Sequence, residues 1–186
     1  MTKAKQFIDA ASLLEDSFRL GIQVLDSGFR PSFIVGVWRG GTPVGIAVQE
    51  LLDFFGVKTD HIAIRTSLYK GIDERDREIR VHGLQYLVDT VEADRGLLVV
   101  DDVFDTGLSI QAVIEELRTR ARRNTPTEIR VATVYYKPEN NHTDRTPDYH
   151  VHETDRWLVF PHELQGLSIE EIKENKLGVA PFLDRL

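Results

Sequence analysis

Apolar residues along the chain fall into runs whose spacing switches between helical and extended. Phe7, Ala11, Leu14, Phe18, Ile22 and Leu25 recur every three or four positions, which predicts an amphipathic opening helix. Gly28 and Pro31 predict its end. Residues 33–38 (FIVGVW) form a short continuous apolar run, read as a buried strand. The turn Arg39-Gly40-Gly41-Thr42-Pro43 follows, then a helix face of Val44, Ala47, Val48, Leu51, Leu52 and Phe55. Residues 61–64 predict the next strand. Residues 65–80 (RTSLYKGIDERDREIR) are polar and of mixed charge, and are expected to form an extended loop or hairpin, mobile on its own. Tyr86, Leu87 and Val91 suggest a short helix. A strand over 97–101, a helix over 109–123 and a strand over 129–136 come next. A turn-rich loop spans 140–147, with short strands at 149–152 and 157–160. Ser168 opens a last helix, with Glu171 placed to complete a capping box.

Strands that alternate with helices predict an α/β fold: a mainly parallel twisted sheet flanked by helices. No internal repeat or low-complexity stretch divides the chain, so a single domain over 1–186 is expected. A small flap or hood is expected mainly from 137–165, and a mobile loop at about 65–82.

Composition narrows the function classes. The chain has 186 residues, 41% hydrophobic and 28% charged, with a net charge of −7. A pI near 5.4 argues against nucleic acid or an anionic membrane as partner, though it leaves room for a local basic pocket. There is no cysteine, hence no disulfide framework and no thiolate chemistry. No signal peptide or membrane-spanning run is recognisable, and a cytoplasmic protein is expected.

Residues 97–110 (LLVVDDVFDTGLSI) carry the chemistry. In open α/β sheets, ligands sit beyond the carboxyl ends of the strands. Here an apolar strand runs into Asp101, Asp102 and Asp105, then Thr106, Gly107, Leu108 and Ser109 at the start of a helix. Backbone N–H groups and hydroxyls at a helix N-terminus make a phosphate cradle, and the glycine lets backbone approach an anion closely. Asp101 and Asp102 stand where carboxylates would accept from sugar hydroxyls or hold magnesium through water. Together these features describe a ribose-5-phosphate site. The pattern alone leaves open a plain strand end with solvated acids and a helix cap.

The segment VVDDVFDTG resembles the 5-phosphoribosyl-1-pyrophosphate (PRPP) signature of type I phosphoribosyltransferases. The resemblance runs from Phe33 to Glu163 and implies that family's fold. It also assigns Trp38-Arg39-Gly40-Gly41 to the pyrophosphate loop, with a cis peptide expected at Trp38-Arg39. Thr66-Ser67-Leu68-Tyr69 is similar to the Ser-Tyr pair at the base of the family's mobile hairpin, with one extra residue, which implies that Ser67 and Tyr69 bind PRPP. Among family members the chain looks nearest to bacterial 6-oxopurine (hypoxanthine, guanine, xanthine) phosphoribosyltransferases. On that resemblance Lys137 donates to the purine O6, Trp157 stacks on the ring and the backbone around Leu158 reads the pyrimidine edge. Glu163 sits where relatives have an aspartate near pyrophosphate and a second metal.

The resemblance implies transfer of 5-phosphoribose from PRPP to N9 of hypoxanthine or guanine, yielding the nucleoside monophosphate and pyrophosphate. It makes Arg39 and Asp105 the catalytic side chains: Arg39 toward pyrophosphate and Asp105 toward the N7 proton. Mg2+ is the implied cofactor, held by Asp101, Asp102 and Glu163. A homo-oligomer, dimer or tetramer, is expected. The alternatives are another acceptor such as xanthine, or a non-catalytic PRPP or nucleotide sensor. His150 and His152 alternate on an expected strand and are read as surface or satisfied core histidines rather than a metal pair.

Overall fold

The computed structural model describes the backbone of residues 5–70 and 77–185 and the side chains of 5–68 and 79–183. By its contacts the chain forms two compact units: a main one, Leu14–Asp155, and a smaller one of Met1–Leu13 with Arg156–Leu186.

The main unit is built around β5 (Gly96–Phe104). This strand pairs in parallel on both sides, with β2 (Pro31–Trp38) and with β6 (Ile129–Tyr136). Leu97, Leu98, Val99 and Val100 are fully buried, because helices cover both faces of a parallel sheet. Val35, Val37, Val99 and Val131 join one core with Ile110, Val113, Ile114 and Leu117 of α4 (Leu108–Ala121), with Leu87 of α3 (Gln85–Thr90) and with Leu84 just before it. On the other side of β2 lies β3 (Asp60–Lys70), which pairs antiparallel with β4 (Arg77–His82). The far edge is β7 (Tyr149–Glu153), parallel to β6. The order is β4-β3-β2-β5-β6-β7, so the α/β fold with a mainly parallel sheet is as expected.

Several boundaries differ from the sequence reading. Of the extended loop or hairpin expected over 65–80, the hairpin is found where the chain is described, with a longer strand than expected: β3 runs six residues past Ile64, and Arg65 pairs with His82, Leu68 with Ile79. Cross-strand pairing gives these polar residues a ladder that their hydropathy hides. Residues 71–76 lie outside the described residues. β5 extends through Phe104, because Asp101, Val103 and Phe104 continue the register against Thr133, Tyr135 and Tyr136. The expected flap at 137–165 is divided: β7 completes the main sheet, and the chain returns to the smaller unit at Arg156.

The opening helix also starts later. α1 (Ala10–Asp26) is preceded by Asp9, whose carboxylate accepts from the Ser12 N–H at 2.9 Å. The Ser12 hydroxyl, then this N–H, hold the Asp9 carboxyl below its ordinary range. Phe7 therefore belongs not to the helix but to β1 (Lys5–Phe7), which pairs in parallel with β8 (Trp157–Val159) in the smaller unit. There Ser168 and Glu171 form the expected capping box of α5 (Ile169–Asn175). Lys176 is buried, its ammonium donating to the Phe160 carbonyl oxygen. Burial lowers its pKa, opposed by the nearby Glu163 carboxylate.

Leu98→Ala opens a cavity on the central strand, since Leu98 is wholly buried. Urea unfolding should show a loss of about 2–5 kcal/mol. A loss under about 1 kcal/mol would mean that β5 is not the tightly packed centre of the sheet.

Candidate active site

Three parallel strands, β2, β5 and β6, end at one edge of the sheet, and each brings a different chemistry there. After β2 comes Arg39, exposed, preceded by the cis Trp38-Arg39 peptide bond that the resemblance implied. Gly40 and Gly41 lead into α2 (Gly41–Phe54), lying directly against β5. A methyl group at Gly41 would stand 2.4 Å from the Val100 carbonyl oxygen and 2.8 Å from the Asp101 Cα. One at Gly40 would stand 1.7 Å from Asp102 Oδ2. Only glycine lets this loop lie on the acids.

The acids themselves are crowded. The Asp102 N–H donates to Asp101 Oδ1 at 3.0 Å, and the Gly41 N–H also donates to the Asp101 carboxylate. Burial pushes the Asp101 carboxyl well above its ordinary range, and the neighbouring Asp102 charge pushes it further. Past β5, Gly107 takes φ +76 as the N-cap of α4. A side chain there would be strained and would meet the Phe104 ring at 2.6 Å. The first turn of α4 has no acidic residue, while Arg118 and Arg120 sit in its last turn, so the helix polarity favours an anion at Thr106–Ser109. The Thr106 carbonyl accepts from His142 N–H at 3.0 Å, which anchors the turn.

β6 continues the ladder one residue beyond the strand, with Lys137 N–H donating to Phe104 O at 2.9 Å. This pairing places Lys137 beside Asp105. The Lys137 ammonium meets Asp105 Oδ2 at 3.1 Å, and Asn140 Nδ2 donates to Asp105 Oδ1 at 2.9 Å. The Lys137 side chain is 8% exposed and that of Asp105 43%. A buried ammonium needs such a counter-charge, and the ion pair tethers the carboxylate in return.

Thr106, Leu108 and Ser109 open onto a groove of about 1010 Å³ between α4 and the β3–β4 pair, where Ser67, Arg80 and His82 also line it. Ser67 Oγ hydrogen-bonds His82 Nε2 at 3.0 Å. The backbone of Tyr69 lies in β3, while its side chain is outside the described residues. The structure thus brings together Arg39, Gly40, Gly41, Asp101, Asp102, Asp105, Thr106–Ser109 and Lys137 in the main unit.

Trp157, Leu158 and Glu163 belong to the smaller unit. Trp157 is exposed and Leu158 buried. Glu163 Oε2 accepts from Phe160 N–H at 2.9 Å, so this carboxylate closes its own turn. His152 hydrogen-bonds Asp16 at 2.8 Å, and His150 meets Glu153 at 3.2 Å. Among the described residues, no group of three or more His, Cys, Asp or Glu side chains is arranged to hold a metal ion. The adjacent Asp101 and Asp102 carboxylates still fit magnesium, which takes one or two carboxylates and fills its shell with water and substrate oxygens. A cation would also relieve the like-charge pressure on Asp101. No described helix is long and apolar enough to cross a membrane.

Residues 5–166 match the phosphoribosyl transferase domain, and the chain belongs to that family. The match reaches back to β1 and α1, beyond the Phe33 start of the sequence resemblance. The chain is 26% identical over 147 residues to the hypoxanthine-guanine phosphoribosyltransferase of Lactococcus lactis, covering 78% of this chain and 74% of that one. It is 29% identical to the purine phosphoribosyltransferase of Pyrococcus horikoshii, with a TM-score of 0.70 over 88% of this chain and 97% of that one. The Helicobacter pylori xanthine-guanine-hypoxanthine phosphoribosyltransferase shares the fold, at 19% identity and a TM-score of 0.65, over 92% of this chain and 99% of that one.

Asn140 is the site residue that sequence reasoning missed, since it sat in a stretch read only as turn-rich loop. Its signal was the spacing Lys137-Pro138-Glu139-Asn140, a proline-started turn with polar ends three apart.

The Asp101 pKa gives a stability test without ligand or metal. Its folded-state value is raised, so above about pH 3.8 the folded chain keeps a proton that the unfolded chain releases. Stability therefore falls as pH rises through that window. Asp101→Asn lacks this group, so its thermal midpoint should gain on the parent's between pH 4 and neutrality, the difference closing below roughly pH 4. A pH-independent difference would refute the burial and repulsion assigned to Asp101.

Proposed function

We propose that the protein transfers 5-phosphoribose from PRPP to N9 of a 6-oxopurine, hypoxanthine and/or guanine, giving the nucleoside 5′-monophosphate and pyrophosphate. The observation that carries this is the Asp105–Lys137 pair beside a phosphate cradle and a glycine-tight loop. The names of the Lactococcus and Pyrococcus relatives support a purine as acceptor.

The cradle at Thr106, Gly107, Leu108 and Ser109 receives the 5-phosphate with α4 amides and hydroxyls. Arg39, with the Gly40 amide, faces the pyrophosphate and stabilises its developing charge, while Gly41, its N–H held by Asp101, lets the loop lie close enough to do so. Asp101 and Asp102 hold the ribose hydroxyls, and magnesium bound by them would neutralise charge on the leaving pyrophosphate. The C1–O bond breaks toward pyrophosphate and the C1–N9 bond forms, through a state with positive charge on the sugar. Electron density drawn from the base makes N7–H acidic, and Asp105 takes or shares that proton. Lys137 has three donors and commits one to Asp105, leaving others for the purine O6. An ammonium with no acceptor does not suit an exocyclic amine at the same place. Trp157 is assigned the stacking face and the backbone at Leu158 the pyrimidine edge on the family resemblance alone.

The test is a spectrophotometric screen of hypoxanthine, guanine, xanthine, adenine and pyrimidine bases with PRPP and magnesium. Turnover with hypoxanthine or guanine is expected, and none with adenine. PRPP binding without turnover on any base would favour a sensor instead. Asp105→Asn should lose about 100-fold or more in kcat while still binding PRPP; full activity would remove Asp105 from the proton step.

A further inference from the structure

We infer that Asn140 is a positioning residue for Asp105, and that Lys137 and Asn140 form a two-sided clamp fixing which carboxylate edge faces the base. The inference rests on the reading of Asp105 as the acceptor of the purine proton.

Local structure makes the clamp. After Lys137, Pro138–Asn140 form a 3-10 turn with Pro138 at its first position, where a fixed φ suits the turn and a missing N–H costs nothing. Asn140 N–H closes the turn onto the Lys137 carbonyl at 3.1 Å. Lys137 stands just before the turn, with non-helical φ −117 and ψ 84. From there it and Asn140 reach the same carboxylate, one at each oxygen. Their shared base is fixed in turn, because Lys137 N–H is hydrogen-bonded to Phe104 O, one residue before Asp105.

The two partners do different work. Lys137 supplies charge and is buried, whereas Asn140 is neutral and half-buried. Without Asn140, the carboxylate keeps its ion pair but can rotate about it, since a single contact at Oδ2 leaves Oδ1 unheld. Asp105 is partly exposed and stands on a turn rather than within β5, so neighbouring packing does not replace this restraint. A misoriented acceptor costs turnover and leaves the phosphate cradle and pyrophosphate loop intact.

The charged group in contact with Asp105 is Lys137 at the end of β6; Glu139 and His142 lie in the loop that follows it, and Asp101 and Asp102 lie on β5, the strand that precedes Asp105. Asn140→Asp would add a carboxylate at the Oδ1 side. Like charge there favours the protonated form, so the acid limb of the kcat profile should move to higher pH.

The experiment compares the full chain with Asn140→Ala, Asn140→Asp and Asp105→Asn, measuring kcat, the KM for PRPP, the KM for the base and the kcat profile from pH 5 to 9. Asn140→Ala is expected to lose about 10-fold in kcat, with the KM for PRPP within about twofold and an unchanged thermal midpoint. Asn140→Asp should move the acid limb upward by about one pH unit. If Asp105→Asn is inactive but both Asn140 variants match the parent in kcat and pH profile, the clamp is refuted while the role of Asp105 stands. If Asp105→Asn is fully active, the reading beneath the clamp fails and the clamp with it. Equal rises in both KM values, with kcat unchanged, would make Asn140 merely structural and overturn the inference.

Discussion

The parallel register of β2, β5 and β6 is the constraint on which the rest depends. It brings Trp38, Phe104 and Tyr136 to one edge of the sheet, and whatever follows those residues becomes a neighbour. The register is enforced from within by Leu97–Val100, which have no exposed surface to spare for a slip. A glycine loop, an acidic turn and a lysine, far apart in sequence, are thereby aligned by hydrophobic packing. The chemistry is then local: a loop pressed on two aspartates, and a lysine paired with a third.

The site is polarised across a short distance. Asp101 and Asp102 crowd like charge at the end of β5, a state that favours protons or cations. A few residues on, Asp105 is neutralised by an internal ammonium. One segment thus holds two acidic environments: a crowded carboxylate pair and a carboxylate already paired with a cation.

Much of this was legible in the sequence, and its limits have physical causes. The apolar run before Asp101 and the Asp105-Thr106-Gly107 turn advertise a strand, an acid and a helix start, because each reflects local backbone demand. The Arg39-Gly40-Gly41 turn was visible for the same reason, although not the reason for its glycines, which lies in the approach of β5. What stayed hidden depends on distant partners. Residues 65–70 left loop and hairpin undecided, because antiparallel pairing to β4, rather than burial, makes them a strand. Phe7 fitted a helical period by coincidence, and the capping carboxylate of Asp9 overrode it. Asn140 gave no hydropathy signal, since its meaning comes from a carboxylate thirty-five positions away.

The glycine loop also bears on how this sequence can drift. Most buried positions accept a near neighbour, a valine for an isoleucine, at modest cost. Gly41 has no near neighbour: every other residue brings a Cβ, and that atom collides with main chain rather than with a side chain that could turn aside. Its tolerance is thus all or none, whereas a few residues away Ile46 is exposed on the same helix and free to vary. The most fragile position at the site brings no side chain of its own; it is the one where an atom must be missing.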